Sequence, residues 1–183
     1  DLLADEADIV MSLREIRKTE RINAREAGMG DLTGPNRSRV LALDAVVPVV
    51  APSNPIKDIS PLTLAQVFAG KVTNWQELGG PNAPIDLHVP NSASGLSQAI
   101  EDQVMVPAIS ALAEQIIRHA LPGALDQAVA KDSFALGITS FAERRNTQVL
   151  TLSGSCGFYL DAARRTIKTE DYPLTAPMFL YFP

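Results

Sequence analysis

Residues 40–51 read VLALDAVVPVVA, the most apolar window of the chain. Valine-rich sequence of this kind favours sheet, because branched side chains pack well on a pleated surface. The window is far shorter than the roughly 20 residues of a membrane helix. It therefore predicts one or two consecutive buried strands. Pro48 has no backbone donor and is expected at a sheet edge or a bulge. Asp44 interrupts the run and, if buried, needs partners, so a turn or inter-strand kink is expected there.

Around this window short apolar runs alternate with helix-like stretches, the pattern of an α/β protein. Residues 7–12 (ADIVMS) read as a short buried strand and 14–27 as an exposed, charged helix. Residues 28–36 form a loop rich in Gly, Pro, Asn and Asp. A compact helix starts near Ser60 with Pro61 in its first position, and Gly70 ends it. Residues 74–78 make a turn or short helix closed by Gly79 and Gly80. Residues 85–89 alternate like a strand. Leu96, Ile100 and Val104 then form one apolar helix face, with Ser94 as N-cap. Further helices are expected at 108–120 and 124–130, and strands at 133–138, 148–152 and 177–183.

The 183 residues carry 16 Lys+Arg and 21 Asp+Glu, a net charge of −5. No nucleic-acid partner is expected from that balance. With 46% hydrophobic and 20% charged residues the chain must fold. The single cysteine, Cys156, excludes an internal disulfide and a zinc site of two or more thiolates. Asp1 is expected to be a processed or excised start.

Catalytic signatures are missing. His88 and His119 fall in unrelated elements, outside any HExxH or nucleophile elbow, and each is expected at the surface or half-buried. There is no GxSxG, no phosphate-binding GxxxxGK[ST], and no GxGxxG. No enzymatic activity is expected. Two other features carry binding chemistry. The strand at 85–89 leads through the small-residue loop 91–95 into a helix start. Unpaired amides and about half a positive charge at such a start attract anions, and Ser92 and Ser94 add hydroxyls. Ordinary capping is the alternative use of the same residues. Ser12 and Arg14 follow a strand end, where α/β folds bind ligands, and guanidinium suits oxyanions. The alternative is a solvated Arg14 beside Glu15 or Glu20.

Together these segments resemble the phosphate-binding subunits of ABC transporters, two-lobed periplasmic solute-binding proteins. ADIVMSLREI (7–16) is similar to that family's "aDigmSsRei". The stretch 42–80 (ALDAVVPVVAPSNPIKDISPLTLAQVFAGKVTNWQELGG) is similar to its lobe-crossing segment and following helix, and is the most specific part. SGLSQAIEDQVM (94–105), ALGITSF (135–141) and TIKTEDYPLTAPMFLY (166–181) resemble further family motifs. The TEDYPL form and the lone cysteine before it look most like the branch fused to an OmpA-like, peptidoglycan-binding domain.

The resemblance implies an α/β, two-lobed periplasmic-binding-protein-like fold. Lobe one would comprise residues 1–51 plus 140–183 and lobe two residues 52–139. Lobe one is expected to be incomplete at its N-terminus, because the family's opening strand, anion-binding loop and helix have no counterpart. Another copy, a separate peptide or a domain swap is expected to supply the missing strand. The implied function is non-catalytic binding of phosphate or another small oxyanion between the lobes, in the periplasm or another extracytoplasmic space. Ser12 and Arg14 would contribute from lobe one. Ser94, Gly95 and Leu96 would contribute from lobe two, with Ser92 and Thr139 as further candidates. No metal or organic cofactor is implied. The partners would be an ABC permease, or peptidoglycan through a fused domain. Leu96 and Ala176 stand where the family has Thr and Arg, and residues 89–93 lack the family's Arg. Each lost charge-assisted bond would weaken phosphate binding by roughly 1.5–3 kcal/mol. An envelope scaffold with a degenerate solute site is therefore the second expectation.

Overall fold

The computed structural model describes residues 2, 7–154 and 157–182. Cys156 and the acidic pair Asp5/Glu6 lie outside the described residues. The chain builds a mixed sheet in the order β1-β10-β2-β6-β4-β5, with β7 beside β2. These strands are β1 Val10–Ser12, β2 Ser38–Val50, β4 Asp86–Pro90, β5 Ile117–His119, β6 Ala135–Ser140, β7 Gln148–Val149 and β10 Thr175–Tyr181. Pairing is antiparallel from β1 to β6 and parallel from β6 through β4 to β5. A small second sheet joins β3 (Asp58–Ile59), β8 (Thr151–Ser153) and β9 (Tyr159–Leu160). The helices are α1 Lys18–Glu26, α2 Pro61–Phe68, α3 Gly95–Ile100, α4 Pro122–Lys131 and α5 Arg164–Lys168.

The 40–51 window is a single strand, not two. All 13 residues of β2 are extended, and no turn falls at Asp44. Its two halves differ. Residues 38–45 pair with β10, and Val46–Val50 pair with β6. The second half is buried, but Val40 and Leu41 in the first half are 57% and 58% exposed. Apolar sequence marks what a strand could bury; coverage depends on which elements lie over it. Asp44 sits at the changeover and is buried. Its carboxylate accepts from the Ser140 hydroxyl, from Ala142 N at 3.2 Å and from Ala45 N at 2.8 Å. A satisfied carboxylate lets the strand run straight through.

Pro48 is inside the sheet rather than at an edge or bulge. It lies opposite Ile138 of β6, while its carbonyl accepts from Leu150 N at 2.9 Å on the other side. In an antiparallel strand a residue's N–H and C=O point the same way. The missing donor therefore faces the short β7 side, and the ladder to β6 loses nothing.

Residues 108–120 are not a helix. α3 continues through a π-helical stretch, Glu101–Met105, and a turn in which Ile109 takes φ +49°. The chain then returns as β5, parallel to β4. β4, α3 and β5 thus form a crossover unit, and its geometry overrides local helix propensity. The expected helix near Ser60 is α2, with the Ser60 hydroxyl accepting from Thr63 N. Gly70 and Gly79 close their segments at φ +71° and +82°, angles that favour glycine.

The main core lies where β2, β6 and β4 meet α2, α3 and α4, around Val47, Val49, Leu64, Phe68, Trp75, Leu125 and Leu136. Trp75 keeps its indole N–H satisfied by donating to Phe134 O at 2.8 Å. A smaller cluster of Leu2, Ala24, Leu32 and Tyr181 fastens α1 to β1 and β10. It holds α1 against the end of β1, where Ser12 and Arg14 lie.

Candidate functional site

Ser12 ends β1, and its hydroxyl accepts from Arg14 N at 3.3 Å. This tight turn directs the Arg14 side chain back beside the strand. The next segment is pinned to β10, because Tyr181 OH accepts from Ile16 N at 2.9 Å. α1 then begins with Glu20 at its third position. There the Glu20 carboxylate accepts from Arg17 N at 2.8 Å, the return half of a capping box. That placement brings Glu20 onto Arg14. The guanidinium donates to both carboxylate oxygens, at 2.6 and 2.8 Å, and its Nη1 also donates to Glu15 O at 2.8 Å. The hydrogen bond from Arg14 holds the Glu20 carboxyl below the usual range, and the same bond raises Arg14.

The opposite wall is the start of α3. Asn91 shapes its approach: its side chain accepts from Ala93 N and its carbonyl from Ser94 N, both at 3.0 Å. The Ser94 hydroxyl accepts from Ser97 N at 3.1 Å and donates to Asn91 O at 2.8 Å. Gly95 faces Ser12 closely. A β-carbon built on Gly95 would lie 3.5 Å from both Ser12 Oγ and Leu13 N. The two sequence features thus meet across one cavity of about 350 Å³. Its polar lining includes Ser12, Arg14, Glu20, Gly95 and Gln98, and its apolar lining includes Leu2, Leu32 and Tyr181. Arg14 Nε and Gln98 Oε1 are buried without a hydrogen-bond partner among the described residues.

Not every expected residue lines this cavity. Ser12, Arg14 and Gly95 do. Ser94 caps the helix that forms the wall. Leu96 is buried in the main core, Ser92 is exposed in the loop, and Thr139 is fully buried in β6 opposite Val47. Glu20 and Gln98 are additions. The capping-box spacing Arg17-x-x-Glu20 is the signal that aims Glu20 at the strand end. Arg14 does pair with Glu20, but it is not the solvated side chain of the alternative: it is 16% exposed and lines the cavity. His88 and His119 do not lie apart: β4 and β5 bring them together, with Nδ1 and Nε2 at 2.8 Å and the rings stacked 5.1 Å apart. They lie outside the cavity lining. Among the described residues no group of three or more His, Cys, Asp or Glu could hold a metal ion, and no helix is long and apolar enough to cross a membrane.

A mixed sheet with a strand that serves two partner sets, and a cleft between a strand end and a helix start, define a periplasmic-binding-protein-like α/β fold. The chain belongs to the family described as the PBP superfamily domain, whose model matches residues 1–183. It is 26% identical to Protein SphX of Synechococcus elongatus over 96% of this chain and 53% of that protein. It is 28% identical to the phosphate-binding protein PstS of Bacillus subtilis over 75% of this chain and 45% of that one. The chain thus spans about half the length of these curated relatives. A substrate-binding protein of Clostridium perfringens, solved with phosphate bound, superposes with a TM-score of 0.81 at 21% identity, covering 100% of this chain and 68% of that one. An ABC-type phosphate transport receptor of Vibrio cholerae gives a TM-score of 0.73 at 20% identity, over 99% and 69% of the two chains.

Proposed function

We propose that this chain is a non-catalytic solute-binding domain that holds phosphate or another small oxyanion in the cavity between β1 and α3. The observation that carries the reading is the meeting of Ser12 and Arg14 with Gly95 across one cavity. Gly95 keeps the helix start open to a ligand, and the turn at Ser12 brings a guanidinium to the same space. The relatives named as phosphate-binding support the choice of ligand.

The two halves of β2 support a division into two lobes, 1–51 plus 140–183 and 52–139, with the cavity between them. A ligand touching both walls would select the closed arrangement by its differential affinity. The family relationship supports an extracytoplasmic location and delivery to an ABC permease. The TEDYPL sequence at 169–174 and the cysteine at 156 support the finer reading of a fused peptidoglycan-binding domain. β1 pairs with β10 alone among the described residues, which supports a complementing strand from another copy or a separate peptide along its outer edge.

A second reading is an envelope scaffold whose solute site has decayed. The pairing of Arg14 with Glu20 favours it, as do Leu96 and Ala176 in place of hydrogen-bonding residues. Calorimetric titration of inorganic phosphate, with sulfate as control, decides between the two. Saturable binding tighter than ~10 μM, about −7 kcal/mol, and its loss in Arg14→Ala are expected from a working receptor. No heat, and no phosphate-dependent rise in melting temperature, would move the assignment to the scaffold.

A further inference from the structure

The Arg14–Glu20 pair leaves no bare guanidinium facing the cavity. Two parallel bonds at 2.6 and 2.8 Å present the carboxylate to Arg14 in the fork geometry an oxyanion ligand would use. Glu20 therefore cancels the charge of the one cationic side chain in the cavity lining among the described residues. The two partners are unequal in their freedom to leave. The Arg14 side chain is 16% exposed and the Glu20 side chain 34% exposed. Each has one other bond, Glu20 from Arg17 N and Arg14 to Glu15 O, but Glu20 also has solvent to turn into, whereas Arg14 is enclosed by the cavity walls. Arg14 also keeps a buried Nε without a partner among the described residues, so the cation is not saturated by its carboxylate.

Resting on the oxyanion-binding reading, we propose that Glu20 is a resident competitor: its carboxylate occupies the oxyanion position on Arg14, and a ligand must displace it to bind. Glu20 then sets the affinity of the site, holding it below what the same cavity would give with a free guanidinium. Glu20→Gln separates this role from the structural one. Glutamine retains a side-chain oxygen for the capping-box bond from Arg17 N, and it carries no charge to compete with a ligand.

The test is titration of inorganic phosphate into the unsubstituted protein, Glu20→Gln, and the double variant Arg14→Ala/Glu20→Gln. Glu20→Gln is expected to bind phosphate about tenfold more tightly or better, as removal of a nearby like charge requires, and the double variant is expected to lose that gain. Equal or weaker binding by Glu20→Gln would overturn the competitor role while leaving the receptor reading intact. A gain retained without Arg14 would overturn it too, because the improvement would come from elsewhere. Absence of binding in all three proteins would remove the receptor reading and this inference with it. Carboxyl ¹³C spectra of the unsubstituted protein give an independent readout: saturating phosphate is expected to move the Glu20 resonance, and an unmoved resonance in a protein that does bind would overturn displacement.

Discussion

At the scale of single residues, a histidine pair and a buried aspartate make the fold acid-sensitive in two stages. His88 is lowered from 6.5 by burial first and by His119 second, and His119 is lowered by burial. One proton between the two rings makes their hydrogen bond; two would set N–H against N–H. Both histidines therefore bind protons more readily in the unfolded chain, so stability falls as pH drops below 6.5. Asp126 contributes the second stage. Burial pushes its carboxyl up, but donors from Thr147, Arg145 and Asn146 outweigh burial and lower it from 3.8. Its contribution is fully present above 3.8 and is lost as pH falls through the lower folded-state value. Urea unfolding at a series of pH values is expected to give constant stability between pH 7 and about 9, below the range where the buried Tyr172 and Tyr181, both raised from 10.0 by burial, ionise more readily in the unfolded chain. A decline of at most about 1.4 kcal/mol per pH unit for each histidine follows, then a further fall at acid pH. Replacing both histidines with Asn should remove the first decline and leave the second. A profile flat from pH 7 to 5 in the parent protein would contradict this account.

At the scale of elements, the packing of α4 on β6 depends on a glycine in the middle of a strand. A β-carbon on Gly137 would meet Val129 Cγ2 at 2.9 Å, Leu125 Cδ2 at 3.1 Å and Val49 Cγ2 at 3.1 Å. Two of these belong to α4 and one to β2, and all three side chains are buried in the main core, so the added carbon crowds both faces of the packing at once. Gly137→Ala is expected to destabilise the protein by about 1–3 kcal/mol, the usual cost of overpacking, read as a lower urea midpoint at unchanged slope. No change in midpoint would mean that the helix is free to shift. The same interplay explains what could be read in advance. Elements with local signals were legible: α2 by Ser60 and Pro61, α3 by Ser94, and β4 by its alternation. β2 was legible as sheet but not as half-exposed, because its burial depends on which elements lie over each half, and that is not written in the strand itself. β5 hid among the helix-forming residues of 108–120, since only its parallel pairing with β4 makes it a strand. In the site, Ser12, Arg14 and Gly95 were legible from chemistry. The hold of Glu20 on Arg14 needs the turn at Ser12 and the start of α1 together, and neither is written in one motif.

At the scale of the whole molecule, the two walls of the cavity belong to different parts of the sheet. β1 hangs on β10, α3 follows β4, and β2 connects the two through its halves. The approach of Gly95 to Ser12 is thus a contact between regions joined mainly by that strand, and it sets what the cavity admits. At 3.5 Å from Ser12 Oγ and Leu13 N, a methyl group on Gly95 would make ordinary contact, whereas a longer side chain must enter the cavity or hold the walls apart. On the proposed oxyanion-binding reading, Gly95→Ala should keep most phosphate binding, and Gly95→Leu should abolish it with little change in the melting temperature of the ligand-free protein. Linkage supplies the measurement. Phosphate at 100 times its dissociation constant stabilises a receptor by about 2.7 kcal/mol. That gain should be present in the parent and in Gly95→Ala, and absent in Gly95→Leu. If Gly95→Leu kept the gain, the ligand would not bridge the two walls, and binding would belong to one side of the sheet alone. If Gly95→Leu instead melted far below the parent without ligand, the contact would be part of the folded core and not a closure that a ligand completes.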